Sequence, residues 1–207
     1  TVTPNATTTY TLVSVTDNNG CTSTVIGAIT ITVNQLPTVT LLGTTSICLG
    51  QNSDLDFNLG GIPNFTVEYN IIDINNPSGV LNSSVFNSTG SNLLNVSPII
   101  TTTYTIVSIT DGNGVIVNNI SSSVTITVNP LPNTSVILGN IQTSFLSTET
   151  YNVAQNIGAG FNWQLNSGGI IINGQTTNSI QVQWGNIGGT YTLYVIETGI
   201  NGCVGDT

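Results

Sequence analysis

The chain predicts an all-β protein made of tandem β-sandwich modules. Three observations carry that prediction: a long internal repeat, apolar residues alternating at period two, and the lack of any helical pattern. Residues 7–20 read TTTYTLVSVTDNNG, and residues 101–114 read TTTYTIVSITDGNG. The two differ only at Leu12/Ile106, Val15/Ile109 and Asn18/Gly112, at an offset of 94. Further on, TITVNQLP ends at Pro37 and TITVNPLP at Pro132, an offset of 95. A weaker third copy, TYTLYVIETGINGC, occupies 190–203. This period suits one immunoglobulin-sized sandwich of ~100 residues. It is too long for a unit of an ankyrin or leucine-rich solenoid.

The local pattern within each copy is that of strands. Ile29, Ile31 and Val33 alternate with Thr30 and Thr32; Val124, Ile126 and Val128 alternate with Thr125 and Thr127. One face is apolar and the other is threonine. Tyr10 and Leu12 share one phase while Val13 and Val15 share the other, which calls for a bulge or for cover on both faces. Asp17-Asn18-Asn19-Gly20 and Asp111-Gly112-Asn113-Gly114 are turn tetrads, because Asn and Gly tolerate positive φ. Good helix formers are scarce and no apolar set recurs at 3.6 spacing. The Leu-Pro pairs at 36–37 and 131–132 mark expected boundaries. They give residues 1–37 as the closing strands of one module, 38–132 as a complete module, and 133–207 as a module lacking its last strand. Strands of the complete module are expected near 39–42, 53–58, 65–72, 79–86, 92–96, 102–110 and 115–128. With its opening Thr1-Val2-Thr3-Pro4 and no signal peptide, the sequence reads as an internal fragment or a processed product. The two incomplete ends would also suit chains that complete one another's sheets.

Composition narrows function sharply. The 207 residues include nine acids and no Lys, Arg or His, for a formal charge of −9. Average usage would supply roughly 25 Lys and Arg. Phosphate neutralisation, P-loop or Schiff-base lysines, arginine clamps, His-dependent triads and His zinc sites are all excluded. The acidic balance opposes docking on anionic membranes. No apolar run approaches the ~18 residues of a membrane-spanning helix. The nine acids form no pair facing a cleft, as a glycosidase would need, so no catalytic residue is expected and the chain reads as a non-enzyme.

The remaining candidates have structural readings too. Cys21 and Cys203 follow the same Asn-Gly turn, where the middle copy has Val115; Cys48 stands early in the middle module. All three are expected to be unpaired within their modules; spacing alone leaves a Cys21–Cys48 bridge across the Pro37 linker open. They do not make a zinc site. Asp54, Asp56 and Asn58 share one strand face, and Asp17 and Asp111 sit beside module junctions. These are the calcium candidates; a solvated strand face and turn formation are their ordinary roles. No metal or cofactor is expected otherwise. Trp163 reads as a core residue. Trp184 ends an alternating strand, as core or as an aromatic platform for a carbohydrate.

TTTYTLVSVTDNNGC followed by ITVNQLP resembles the repeated Ig-like modules of large surface adhesins of Bacteroidota exported by the type IX secretion system, gliding-motility adhesins among them. Ser46–Gln51 and Gly61–Tyr69 are similar to the opening half of that module. Phe161-Asn162-Trp163, Gly168-Gly169, Gly174-Gln175, Val182-Gln183-Trp184-Gly185 and Gly202-Cys203 resemble its PKD-like variant. The resemblance implies tandem Ig-like/PKD-like sandwiches on the bacterial cell surface, in a stalk that spaces or presents binding regions. Its partners would be neighbouring modules, other copies or surface glycans, with no nucleic acid and no membrane insertion. The alternatives are a filament subunit joined head to tail by β-strand complementation and, third, a carbohydrate-binding module with Trp184 as its stacking residue.

Overall fold

The computed structural model describes residues 1–205, and among them there are strands and turns but no helix. In chain order the strands are β1 (Thr8–Thr16), β2 (Thr22–Ile31), β3 (Thr38–Gly43), β4 (Ser46–Cys48), β5 (Ser53–Gly60), β6 (Phe65–Ile72), β7 (Val80–Phe86) and β8 (Gly90–Val96). There follow β9 (Thr102–Thr110), β10 (Ile116–Asn118), β11 (Ser123–Asn129), β12 (Thr148–Asn152), β13 (Gly160–Leu165), β14 (Gly169–Asn173), β15 (Ser179–Trp184) and β16 (Leu193–Thr198). The all-β class and the alternating strands are as the sequence predicts. Two details differ. The stretch 115–128 is two strands, parted by a turn in which Asn119 takes a φ of 58°; Asn adopts that left-handed region more readily than most side chains. The short β4 has too few residues to show a period.

The chain forms two compact units. The first comprises Thr1–Gly43, Asp54–Asn95 and Thr103–Val124. It carries the sheet β3-β5-β8 and the run β9-β6-β7, with β10 beside β9. The alternation in β5 sends Leu55, Phe57 and Leu59 inward and leaves Asp54 and Asn58 exposed. Phe57 meets Tyr69 of β6 and Phe86 of β7 at ring-centroid distances of 5.7 and 4.9 Å. The two sheets therefore face each other across an aromatic core, in the manner of a β-sandwich. Each fully buried side chain of this size contributes about 1.5–3 kcal/mol.

The phase change in the repeat is a bulge. Against β6, Glu68 pairs with Ser108 and Tyr69 with Ile106, so Val107 is the extra residue. It lets Tyr104 and Ile106 before it, and Ile109 after it, all reach the core. In β1 the register shifts at the matching place, between Leu12 and Ser14. Tyr10 stands opposite Ile29 and Thr8 opposite Ile31, which makes one face apolar. On the other face the hydroxyls of Thr9 and Thr30 are 2.8 Å apart and hydrogen-bonded. The apolar face of this hairpin is largely bare.

The second unit comprises Thr44–Ser53, Val96–Thr102 and Thr125–Thr207. Its sheets are β12-β15-β14 and β13-β16, enclosing Tyr151, Val153, Phe161, Trp163, Ile180, Val182 and Val195. Trp163 is buried and its indole N–H donates to the Thr177 carbonyl at 2.8 Å. In the same unit β4 runs parallel to β11, with Cys48 opposite Asn129. Cys48 forms a disulfide with Cys203, their Cα atoms 5.5 Å apart. No pair forms within one of the expected modules, and the bridge that does form is one the sequence did not single out. The bridge joins residues 155 apart that the repeat arithmetic places in different modules, and it rules out a Cys21–Cys48 pair. Cys21 is free and exposed.

Candidate functional site: an aromatic cleft

The repeated turn is the first element to place, because it carries two of the calcium candidates, Asp17 and Asp111. Asp17 Oδ1 accepts from the backbone N–H of Asn19 and Cys21, both at 2.9 Å. Asp111 Oδ1 accepts from Asn113 and Val115, both at 3.0 Å. In the third copy Gly199 replaces the aspartate, and the backbone pair Gly199 N–H to Cys203 carbonyl remains, at 2.8 Å. These aspartates hold the hairpin turn. Asp54 and Asp56 bond across their sheet, accepting from Asn95 Nδ2 and Ser91 Oγ, each at 2.7 Å. Asn58, on the same face, is exposed. No group of three or more His, Cys, Asp or Glu side chains among the described residues is placed to hold a metal ion.

Trp184 lies elsewhere, on the wall of a cleft of about 530 Å³ in the second unit. That volume falls within the ~300–1,000 Å³ usual for small-ligand sites. Its position follows from the strand. Val182 points into the core and Trp184, two residues on, keeps that phase at the end of β15, where the core opens. The ring is half-buried. Its Nε1–H donates to the Tyr151 hydroxyl at 3.2 Å, and that hydroxyl donates to the Asn140 carbonyl at 2.9 Å. Tyr151 meets Trp184 edge-on at 6.2 Å, and Tyr191 stacks on it at 5.9 Å with 25° between planes. The Tyr191 hydroxyl donates to the Ile187 carbonyl at 2.9 Å. Burial raises the Tyr151 phenol above its ordinary 10.0; the Trp184 N–H opposes this and the nearby Glu149 charge adds to it.

Gly168 makes the stack possible. Its φ is +85°, and a Cβ there would collide with the edge of the Tyr191 ring. Opposite, Phe145 is 66% exposed and faces Gly188. Sequence reasoning singled out Trp184 and missed its companions. The signal was present for Tyr191, which is the third copy's counterpart of Tyr10 and Tyr104 in the TYT motif. Phe145 comes from a segment with no period to read.

A second cluster went unforeseen. Glu197 of β16 is 1% exposed; its Oε1 accepts from Asn156 Nδ2 at 2.6 Å, and Oε2 has no hydrogen-bond partner among the described residues. Its backbone carbonyl takes the Gly205 N–H at 2.8 Å.

Residues 130–206 match the PKD-like domain family, which takes in β12 to β16 and the whole aromatic cleft. No curated protein matches the chain. PKD-like domains are generally non-catalytic and typically extracellular. No helix among the described residues is long and apolar enough to cross a membrane.

Proposed function

We propose that this chain is a structural stalk segment of a large secreted cell-surface protein, in which successive sandwiches bounded near Pro37 and Pro132 space or present binding regions. The carrying observation is the hairpin β1–β2. It repeats the sequence, the turn and the place of the register shift of the strands that close the first unit's sandwich, yet among the described residues its apolar face has no sheet against it. The cover it calls for is a neighbouring strand like β6 and a facing sheet like β3-β5-β8, which together complete the sandwich around the other copy. A PKD-like domain in the same chain supports an extracellular structural or adhesive role. The lack of Lys and Arg removes every site for trypsin-like cleavage, which suits an exposed surface. The likeness of the repeat to type IX-exported adhesins of Bacteroidota supports placing it among proteins of that kind.

Imaging of the native material by cryo-electron microscopy, traced through Thr8–Ile31, tests the reading. Cover of Tyr10 and Ile29 by strands of the same polypeptide supports the stalk. Cover by a neighbouring copy overturns it in favour of a filament assembled by strand complementation.

A further inference from the structure

The geometry points to a binding site for an uncharged oligosaccharide in the aromatic cleft of the second unit, a reading that goes beyond the stalk role and stands or falls separately from it. Four features converge there. The Trp184–Tyr191 stack and the exposed Phe145 ring border one cavity, and aromatic planes are the surfaces on which the C–H faces of a sugar ring pack. The walls between them carry Asn140, Gln142 and Thr190, neutral groups that can both donate to and accept from sugar hydroxyls. Gly185, Gly188 and Gly189 bring backbone to the cavity wall, with the exposed Ile187 between them. Among the described residues no carboxylate lines the cleft, although the chain carries nine acids and no basic side chain. A cationic ligand would find no carboxylate on the lining itself, since the nearby Glu149 is turned to Asn140 Nδ2 at 3.3 Å. An anionic one would find no cation and would face the repulsion of a −9 chain. A purely apolar ligand would strand the amides and hydroxyls. A neutral sugar satisfies both kinds of surface at once.

Trp184 is also the reporter, because the only other tryptophan, Trp163, is sealed in the core. The experiment titrates the intact protein with cellohexaose, chitohexaose and the acidic hexagalacturonate, following tryptophan fluorescence and calorimetric heat. The expected result is saturable binding of at least one neutral hexamer and none of the acidic one. Phe145→Ala removes an exposed ring without touching the core and should weaken binding about five- to tenfold, with the circular dichroism spectrum unchanged. Three outcomes overturn the proposal: no saturable binding of either neutral hexamer at ~10 mM, equal binding of the acidic hexamer, or unchanged affinity in both Phe145→Ala and Trp184→Phe. Binding of the apolar dye anilinonaphthalene sulfonate that neither sugar displaces would also overturn it, in favour of an apolar docking groove.

Discussion

Tyr10, Leu12 and Val15 of β1 are 37, 49 and 51% exposed, whereas Tyr104, Ile106 and Ile109, at the matching positions of β9, are 4, 2 and 0% exposed. The two segments are nearly identical in sequence, and they form the same strand and the same aspartate turn, each with a register shift at the matching residue. Local structure is therefore set within the segment. Burial is set by what packs on it. For β9 that is β6 and the facing sheet; for β1, no sheet of the described residues. The apolar face of β1–β2 is a specification awaiting its partner, and an isolated hairpin is marginal in water.

The turn gives the first and largest test of this contrast, since Cys21 and Cys203 occupy the same place in two copies. Cys203 closes a loop of 155 residues with Cys48, and the chain-entropy account assigns such a loop about 5 kcal/mol. Cys203→Ser should lower the denaturation midpoint of the second unit accordingly, while Cys21→Ser should leave it unmoved. A thiol reagent should label Cys21 alone in the native, unreduced protein.

Side-chain truncation comes next. Ile109→Ala should cost about 2–5 kcal/mol by urea denaturation, as core deletions do. Val15→Ala, at the matching exposed site, should stay within about 0.5 kcal/mol. Joining a copy of residues 38–94 ahead of Thr1 should raise the Val15→Ala cost toward the core value. If that cost stays near zero, the hairpin is not the closing half of a sandwich and the comparison is broken.

Backbone effects are smaller. Gly114 and Gly20 have φ of +77° and +83°, and a Cβ at either position would meet nothing within 4 Å, so an alanine faces only the backbone penalty. Gly114→Ala should cost about 1 kcal/mol of the first unit's stability, and Gly20→Ala nothing measurable in global unfolding. The mildest effect lies in alkaline pH. Burial, and then the neighbouring Tyr69, raise the Tyr104 phenol above 10.0. The folded state holds that proton more tightly than the unfolded chain. Its contribution is therefore whole below pH 10 and is lost as pH rises through the raised value. Tyr104→Phe should flatten the fall in stability measured by denaturation above that point.

These contrasts also show what could be read from residues alone. Period two, the phase change at Val13 and Val107, and the Asp-Asn-Gly turns lay within short windows, where side-chain geometry decides the outcome. The Cys48–Cys203 bond could not be read that way. It joins distant strands, and the repeat itself directed attention to partners within a module. The cleft was half legible: Trp184 stood out at the end of an alternating strand, but the Tyr191 stack depends on a glycine at 168 approaching from another hairpin. The burial of Glu197 is a matter of neighbours, and no pattern around it sets it apart from an exposed strand residue.

The Cys48–Cys203 bond has one more consequence, for a chain pulled from its two ends. A covalent link between those residues diverts tension across the sulfurs, so the stretch 49–202 lies off the load path. Fully drawn out at ~3.3–3.6 Å per residue, that stretch would add on the order of 500 Å of contour. While the bond is intact this length is withheld, and the domain with the aromatic cleft keeps its shape under strain. In a reducing environment the same pull would release it as a long tether.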